Sequence, residues 1–153
     1  FRYNNITQPN RNRLLWLDPT VDGVKTGHTE AAGYCLVSSA KRGERRLLSV
    51  VLGTDSDAAR ASESLKLLNW GFQFFDAMKL YSANQAVSEF KVWKGSQSQI
   101  KAGFSNDFVV SVPKGYGDKL QAELISQQPL IAPVRQGQTI GTLKLTLEGK
   151  PYG

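Results

Sequence analysis

The 153-residue sequence holds one cysteine, one histidine and one methionine, so the residue types that announce metal centres and covalent frameworks are almost absent. A single cysteine, Cys35, excludes an intramolecular disulfide and a cysteine-based zinc site. It lies in the apolar run Gly33-Tyr34-Cys35-Leu36-Val37, where a buried structural thiol is expected rather than a nucleophile. The lone histidine, His28, has no cluster of Cys, Asp or Glu beside it, so neither a metal ion nor a cofactor is expected. No apolar run approaches the roughly 18 residues that a membrane-spanning helix needs. Dense blocks of one charge are also missing, and nucleic acid is therefore not an expected partner.

What remains is the composition of a folded protein, with 41% apolar residues and a formal net charge of +6. The basic excess suits an anionic surface but is spread along the chain. Residues 1–78 carry ten basic and eight acidic side chains, and residues 79–153 carry nine and five. Lys41, Arg42, Arg45 and Arg46 come nearest to a cluster, and their position around Gly43 between two apolar runs predicts a solvated hairpin tip.

Along the chain, the first twenty residues are rich in Asn, Arg, Gln and Pro and predict a loop laid over a body, with one apolar cluster at Leu14-Leu15-Trp16-Leu17. Three strand-like runs follow, Val24–Thr29, Tyr34–Ala40 and Leu47–Leu52, as in an antiparallel meander. Asp55 and Asp57 then offer caps and negative charge for a helix whose apolar stripe runs through Ala61, Leu65, Leu68, Phe72 and Phe75. Trp70, Phe74 and Met78 widen that stripe until most of the helix circumference is expected to be covered. After Met78, short runs at Phe90–Trp93, Phe108–Val112, Leu120–Ile125 and Thr139–Leu147 are punctuated by turn residues about every ten positions, the spacing of a small all-β sandwich. The fold class read from these patterns is α+β, with a boundary near residues 77–82. The opening Phe1-Arg2-Tyr3-Asn4-Asn5 and the close just past the Glu148-Gly149 turn read as truncation at both ends.

The chemistry concentrates in Asp22-Gly23-Val24-Lys25-Thr26-Gly27-His28-Thr29-Glu30. A Lys-Thr-Gly on a strand, preceded by a turn and followed by a second strand, is the context in which that tripeptide carries acyl-transfer chemistry. Alternation directs Lys25 and Gly27 to one face and Thr26 to the other, so a site using both Lys25 and Thr26 needs local twist or a sheet edge. Lys25 would serve as a cation beside a nucleophile, Thr26 as a hydroxyl for a substrate carboxylate, and a backbone N–H just after Gly27 as an oxyanion donor. Asp22 and Glu30 flank the motif as a candidate acid pair, which turn and strand-end solvation explains more simply.

Together with Gln8-Pro9-Asn10-Arg11-Asn12-Arg13-Leu14-Leu15-Trp16, Ala32-Gly33-Tyr34 and Leu67-Leu68-Asn69-Trp70-Gly71-Phe72, this stretch resembles the low-molecular-mass penicillin-binding proteins. These are serine D-alanyl-D-alanine carboxypeptidases of the bacterial cell wall, here of the penicillin-binding protein 5 and 6 type. The resemblance implies that residues 1–78 are the carboxyl-terminal part of a serine β-lactamase-like transpeptidase domain. Residues 79–153 would be a β-rich second domain, truncated at its end. It implies Lys25 as the motif lysine, Thr26 as the carboxylate-gripping hydroxyl, Gly27 as the space-giving residue and the His28 backbone N–H as the second oxyanion donor. Arg60 would help to anchor the substrate carboxylate, its plain alternative being an ordinary surface arginine. The family's Ser-x-x-Lys and Ser-x-Asn elements precede Lys-Thr-Gly. Ser38-Ser39-Ala40-Lys41 and Ser82-Ala83-Asn84 match the bare patterns but follow Lys25, which makes them decoys.

The implied substrates are peptidoglycan stem peptides ending in D-Ala-D-Ala, with β-lactams trapping the same serine. The nucleophile would come from an upstream polypeptide. The implied location is periplasmic, near the inner membrane through a carboxyl-terminal segment beyond this chain. The alternatives are a non-catalytic β module that serves as a structural or partner-binding unit, and a serine β-lactamase, which has no reason for the second domain.

Overall fold

The structure is a computed structural model that describes residues 2–126 and 128–152. It divides into two units, Phe1–Phe74 and Phe75–Gly153. The sequence pattern puts the change after Met78, whereas the helix of the first unit stops at Phe74 and Phe75–Tyr81 is a strand. The helical stripe therefore ends at Phe72, and Phe75 and Met78 belong to a sheet. Arg45 supplies the physical reason. Its guanidinium donates to the carbonyls of Gly71 and Phe72 at 3.2 Å each, oxygens that Phe75 and Asp76 would bond if the helix ran on.

The first unit opens with the short pair β1 (Arg2–Tyr3) and β2 (Ile6–Thr7), then the single turn α1 (Leu14–Leu17). A three-stranded antiparallel sheet follows in the order β3 (Val21–Thr29), β4 (Gly33–Arg42), β5 (Arg45–Thr54), and α2 (Asp57–Phe74) packs on it. In the two-residue loop between β4 and β5, Gly43 takes φ +60°. Register places Leu36 opposite Val51, Ser38 opposite Ser49 and Ala40 opposite Leu47 on one face. That face meets α2, and Leu14, Val21, Leu36, Ala40, Ala61 and Leu68 form the buried core there. Apolar area removed from water at this contact stabilises the unit at about 25 cal/mol per Å². The opposite face of β5 carries Leu48, Val50 and Leu52 at 66, 58 and 70% exposure.

Buried Asn12 fixes the amino-terminal loop: its Nδ2 donates to the Gly23 carbonyl at 3.1 Å, and its Oδ1 accepts from the Leu14 N–H at 3.2 Å. The cap of α2 is Ser56 rather than either flanking aspartate, its Oγ accepting from the Ala59 N–H at 3.1 Å. Nor is the circumference of α2 covered, because the sheet reaches one side only: Trp70 is 54% exposed and lies against Phe74 at 6.0 Å between ring centroids.

The hairpin tip is exposed at Lys41, Gly43, Glu44 and Arg46, but its arginines are engaged. Arg42 donates to Asp18 Oδ2 at 2.9 Å and Asn69 Oδ1 at 2.6 Å and lies 4.5 Å over the Phe72 ring. Arg46 pairs with Asp22 at 2.8 Å. Hairpin arginines thus fasten the amino-terminal loop and the carboxyl end of α2 to the sheet.

Among the described residues, the second unit is built of strands and one 3₁₀ turn (Gly117–Lys119). β6 (Phe75–Tyr81) pairs antiparallel with β9 (Phe108–Pro113). β7 (Ala86–Trp93) pairs antiparallel with β8 (Gln99–Gly103) and parallel with β11 (Leu130–Ile131). β10 (Leu120–Ser126) and β13 (Lys150–Pro151) flank β12 (Gly141–Leu147). Phe90, Val112, Leu130 and Leu145 are buried, and the Tyr81, Phe104 and Phe108 rings stack in series at 5.5 and 4.7 Å. Among the described residues no helix is long and apolar enough to cross a membrane.

Candidate active site

β3 is the edge strand of its sheet among the described residues. Lys25 stands opposite Val37 and Thr26 opposite Leu36, so the two side chains leave on opposite faces. The edge position lets both border one cleft of about 520 Å³, which Gly27, His28 and Arg60 also line. The five residues singled out in the sequence therefore converge on one place. Arg11, Tyr34 and Asp57 complete the lining. In the sequence pattern Arg11 and Tyr34 lie in informative stretches without an assigned role, and Asp57 reads as a helix-start cap and charge. The signal available for Asp57 was its spacing, three residues before Arg60 in the first turn of a helix.

Arg60 is 3% exposed, which removes the surface-arginine alternative. Its Nη1 donates to the Gly27 carbonyl at 3.1 Å, its Nη2 donates to the Arg11 carbonyl at 3.3 Å and to Asp57 Oδ1, and its Cζ sits 5.4 Å from the Tyr34 ring centroid. One side chain thus ties α2, the amino-terminal loop and the Lys-Thr-Gly strand together. Lys25 is exposed, and its Nζ donates to the Thr26 carbonyl at 2.6 Å. The His28 ring rests on Tyr34 at 4.0 Å between centroids, while its backbone amide follows Gly27 in β3. Arg11, Lys25 and Arg60 against Asp57 leave the cleft with a positive balance, suited to an anionic ligand group.

The sheet itself does not require a glycine at position 27. A Cβ built there would meet only the Cys35 Cβ, at 3.8 Å, an ordinary contact. Cys35 itself is half-buried rather than buried, because it faces away from α2. Asp22 is no acid of the site: hydrogen bonds from Arg46, and then Ser39, hold its carboxyl down to about 2. The decoy Ser38 is fully buried and shares a 2.7 Å hydrogen bond with Ser49, while Lys41 projects from the opposite face of β4.

Residues 75–153 match the family described as penicillin-binding protein 5, C-terminal domain, and residues 1–56 match that described as D-alanyl-D-alanine carboxypeptidase. The chain belongs to the penicillin-binding protein 5 family. Relatives of this family include D-alanyl-D-alanine carboxypeptidase DacC of Escherichia coli strain K12, 44% identical over 152 residues, which are 98% of this chain and 38% of that protein. DacA of Haemophilus influenzae is 43% identical over 154 residues, covering 98% of this chain and 39% of its own length. Among solved structures, penicillin-binding protein 5 from Haemophilus influenzae superposes with a TM-score of 0.88 at 42% identity, over 100% of this chain and 45% of that one. Penicillin-binding protein 6B from Escherichia coli gives a TM-score of 0.62 at 32% identity, over 100% of this chain and 39% of that one. The chain thus spans less than half the length of these family members.

Proposed function

We propose that this chain is the carboxyl-terminal portion of a serine D-alanyl-D-alanine carboxypeptidase, and that it supplies the electrostatic and carboxylate-binding half of the active site. The convergence of Lys25, Thr26, Gly27, His28 and Arg60 on one positive cleft carries this reading. In the reaction, a serine from the upstream part of the polypeptide attacks the carbonyl of the penultimate D-alanine. The C–N bond to the terminal D-alanine breaks, its nitrogen takes the proton delivered from the serine hydroxyl, and water then hydrolyses the ester and restores the serine. Lys25 holds a positive charge beside the nucleophile, the His28 N–H stabilises the developing oxyanion, and Gly27 leaves room for the substrate backbone. Thr26 and Arg60 bind the terminal carboxylate. β-Lactams acylate the same serine.

The uncovered apolar side of β5, with Leu48, Val50 and Leu52, supports an upstream portion packed against the sheet. The working location is the periplasm, beside the inner membrane, with peptidoglycan stem peptides as substrates. Denaturing mass spectrometry with benzylpenicillin tests the reading. The full-length polypeptide that carries this chain gains the mass of the drug, and this chain by itself does not. An adduct on Ser38 of this chain would overturn it.

A further inference from the structure

A guanidinium offers five N–H bonds and two faces on which a carboxylate can be held by a parallel pair of hydrogen bonds, Nε with Nη2 and Nη1 with Nη2. Both faces share Nη2. In Arg60 the two Nη2 hydrogens are committed, one to the Arg11 carbonyl at 3.3 Å and one to Asp57 Oδ1, while one Nη1 hydrogen goes to the Gly27 carbonyl at 3.1 Å. A ligand carboxylate therefore finds neither face complete. Of the two occupants of Nη2, the Arg11 carbonyl is backbone next to the buried anchor Asn12, whereas Asp57 is a short side chain 40% exposed. Asp57 also has somewhere to go, since its Oδ2 already stands 4.0 Å from Arg13 Nε.

From this geometry we propose that Asp57 is an internal competitor for the ligand carboxylate, holding Arg60 while the cleft is empty and yielding Nη2 when a carboxylate-terminated substrate arrives. The proposal rests on the reading of Arg60 as a carboxylate anchor given above. Asp57 is on this account a specificity-determining residue and takes no part in bond making. It weakens binding of any ligand that needs the two-bond grip and leaves one without a terminal carboxylate unaffected.

The test uses the full-length polypeptide, with a tripeptide ending in D-Ala-D-Ala and the same tripeptide with its terminus amidated. Asp57→Asn keeps the shape and an accepting oxygen but removes the charge. The expected result is a KM for the free acid lowered about three- to tenfold, with kcat within about twofold and the KM for the amide unchanged. A free-acid KM that stays or rises, while Arg60→Ala still abolishes the preference for acid over amide, overturns the proposal and leaves the anchor reading standing. If Arg60→Ala leaves that preference intact, both fail. Asp57→Ser, which retains a first-turn oxygen, is the second variant and is expected to give the same shift. Should neither variant fold, Asp57 is structural and the proposal is overturned.

Discussion

At the scale of single residues, glycines separate site from scaffold. Nothing in the sheet needs a glycine at position 27, so Gly27→Ala is expected to keep unfolding free energy within about 1 kcal/mol of the parent. It should slow benzylpenicillin acylation of the full-length polypeptide at least about tenfold, as read from adduct formation against time. Gly33 is the converse case, with φ +65° and an added Cβ only 3.0 Å from the Thr54 carbonyl oxygen. Gly33→Ala should cost roughly 2 kcal/mol in denaturant unfolding through backbone strain and crowding.

Carboxylates give the pH dependence. The Thr20 hydroxyl first, with the Thr20 N–H and Arg42, lowers the Asp18 carboxyl, and Arg46 holds Asp22 at about 2. For Asp22, a folded-state value below the ordinary 3.8 means a contribution present above about pH 4 and lost as pH falls through about 2. Thermal unfolding between pH 5 and pH 2, in both the parent and Asp22→Asn, should show a shallower decline in the variant, and the difference should shrink at high salt. The sequence made Lys25, Thr26, Gly27 and His28 visible because they are contiguous. The partners of Arg42 and Arg46 are not legible, because which groups meet depends on strands brought together from more than twenty positions away, whereas the Asp57–Arg60 pair lies within one helical turn.

At the scale of elements, long apolar strands and the periodic helix were legible, and their ends were not. Phe75 and Met78 continue the helical spacing of Phe72, so period alone cannot tell the end of α2 from the start of β6. β8 went unseen because Gln99-Ile100-Lys101-Ala102-Gly103 has little apolar content to alternate, and it becomes a strand by pairing with β7. The stop at Phe74 depends on Arg45. Arg45→Ala should destabilise the first unit by about 1 to 2 kcal/mol in denaturant unfolding, through two lost hydrogen bonds and the lost cation at the helix carboxyl end.

At the scale of the molecule, the division into an α+β unit and a β unit could be read from the change of hydrophobic period, but an uncovered sheet face could not. A run such as Leu47–Leu52 looks the same whether one or both of its faces are covered. With Leu48, Val50 and Leu52 exposed, this chain by itself should bind a hydrophobic fluorescent dye, and Leu48→Thr with Val50→Thr should reduce the signal while circular dichroism stays unchanged. The fastening of α2 has its own consequence. Arg60 ties the first turn to β3 and the amino-terminal loop, and Arg42 and Arg45 tie the last turns to the hairpin. Helices ordinarily come undone from their tips. This one is held at both ends, so its hydrogen-bonded amides from Arg60 onward should exchange with solvent deuterium at nearly one rate, and a pulling force would have to shear all 18 residues off the sheet together rather than peel them away turn by turn.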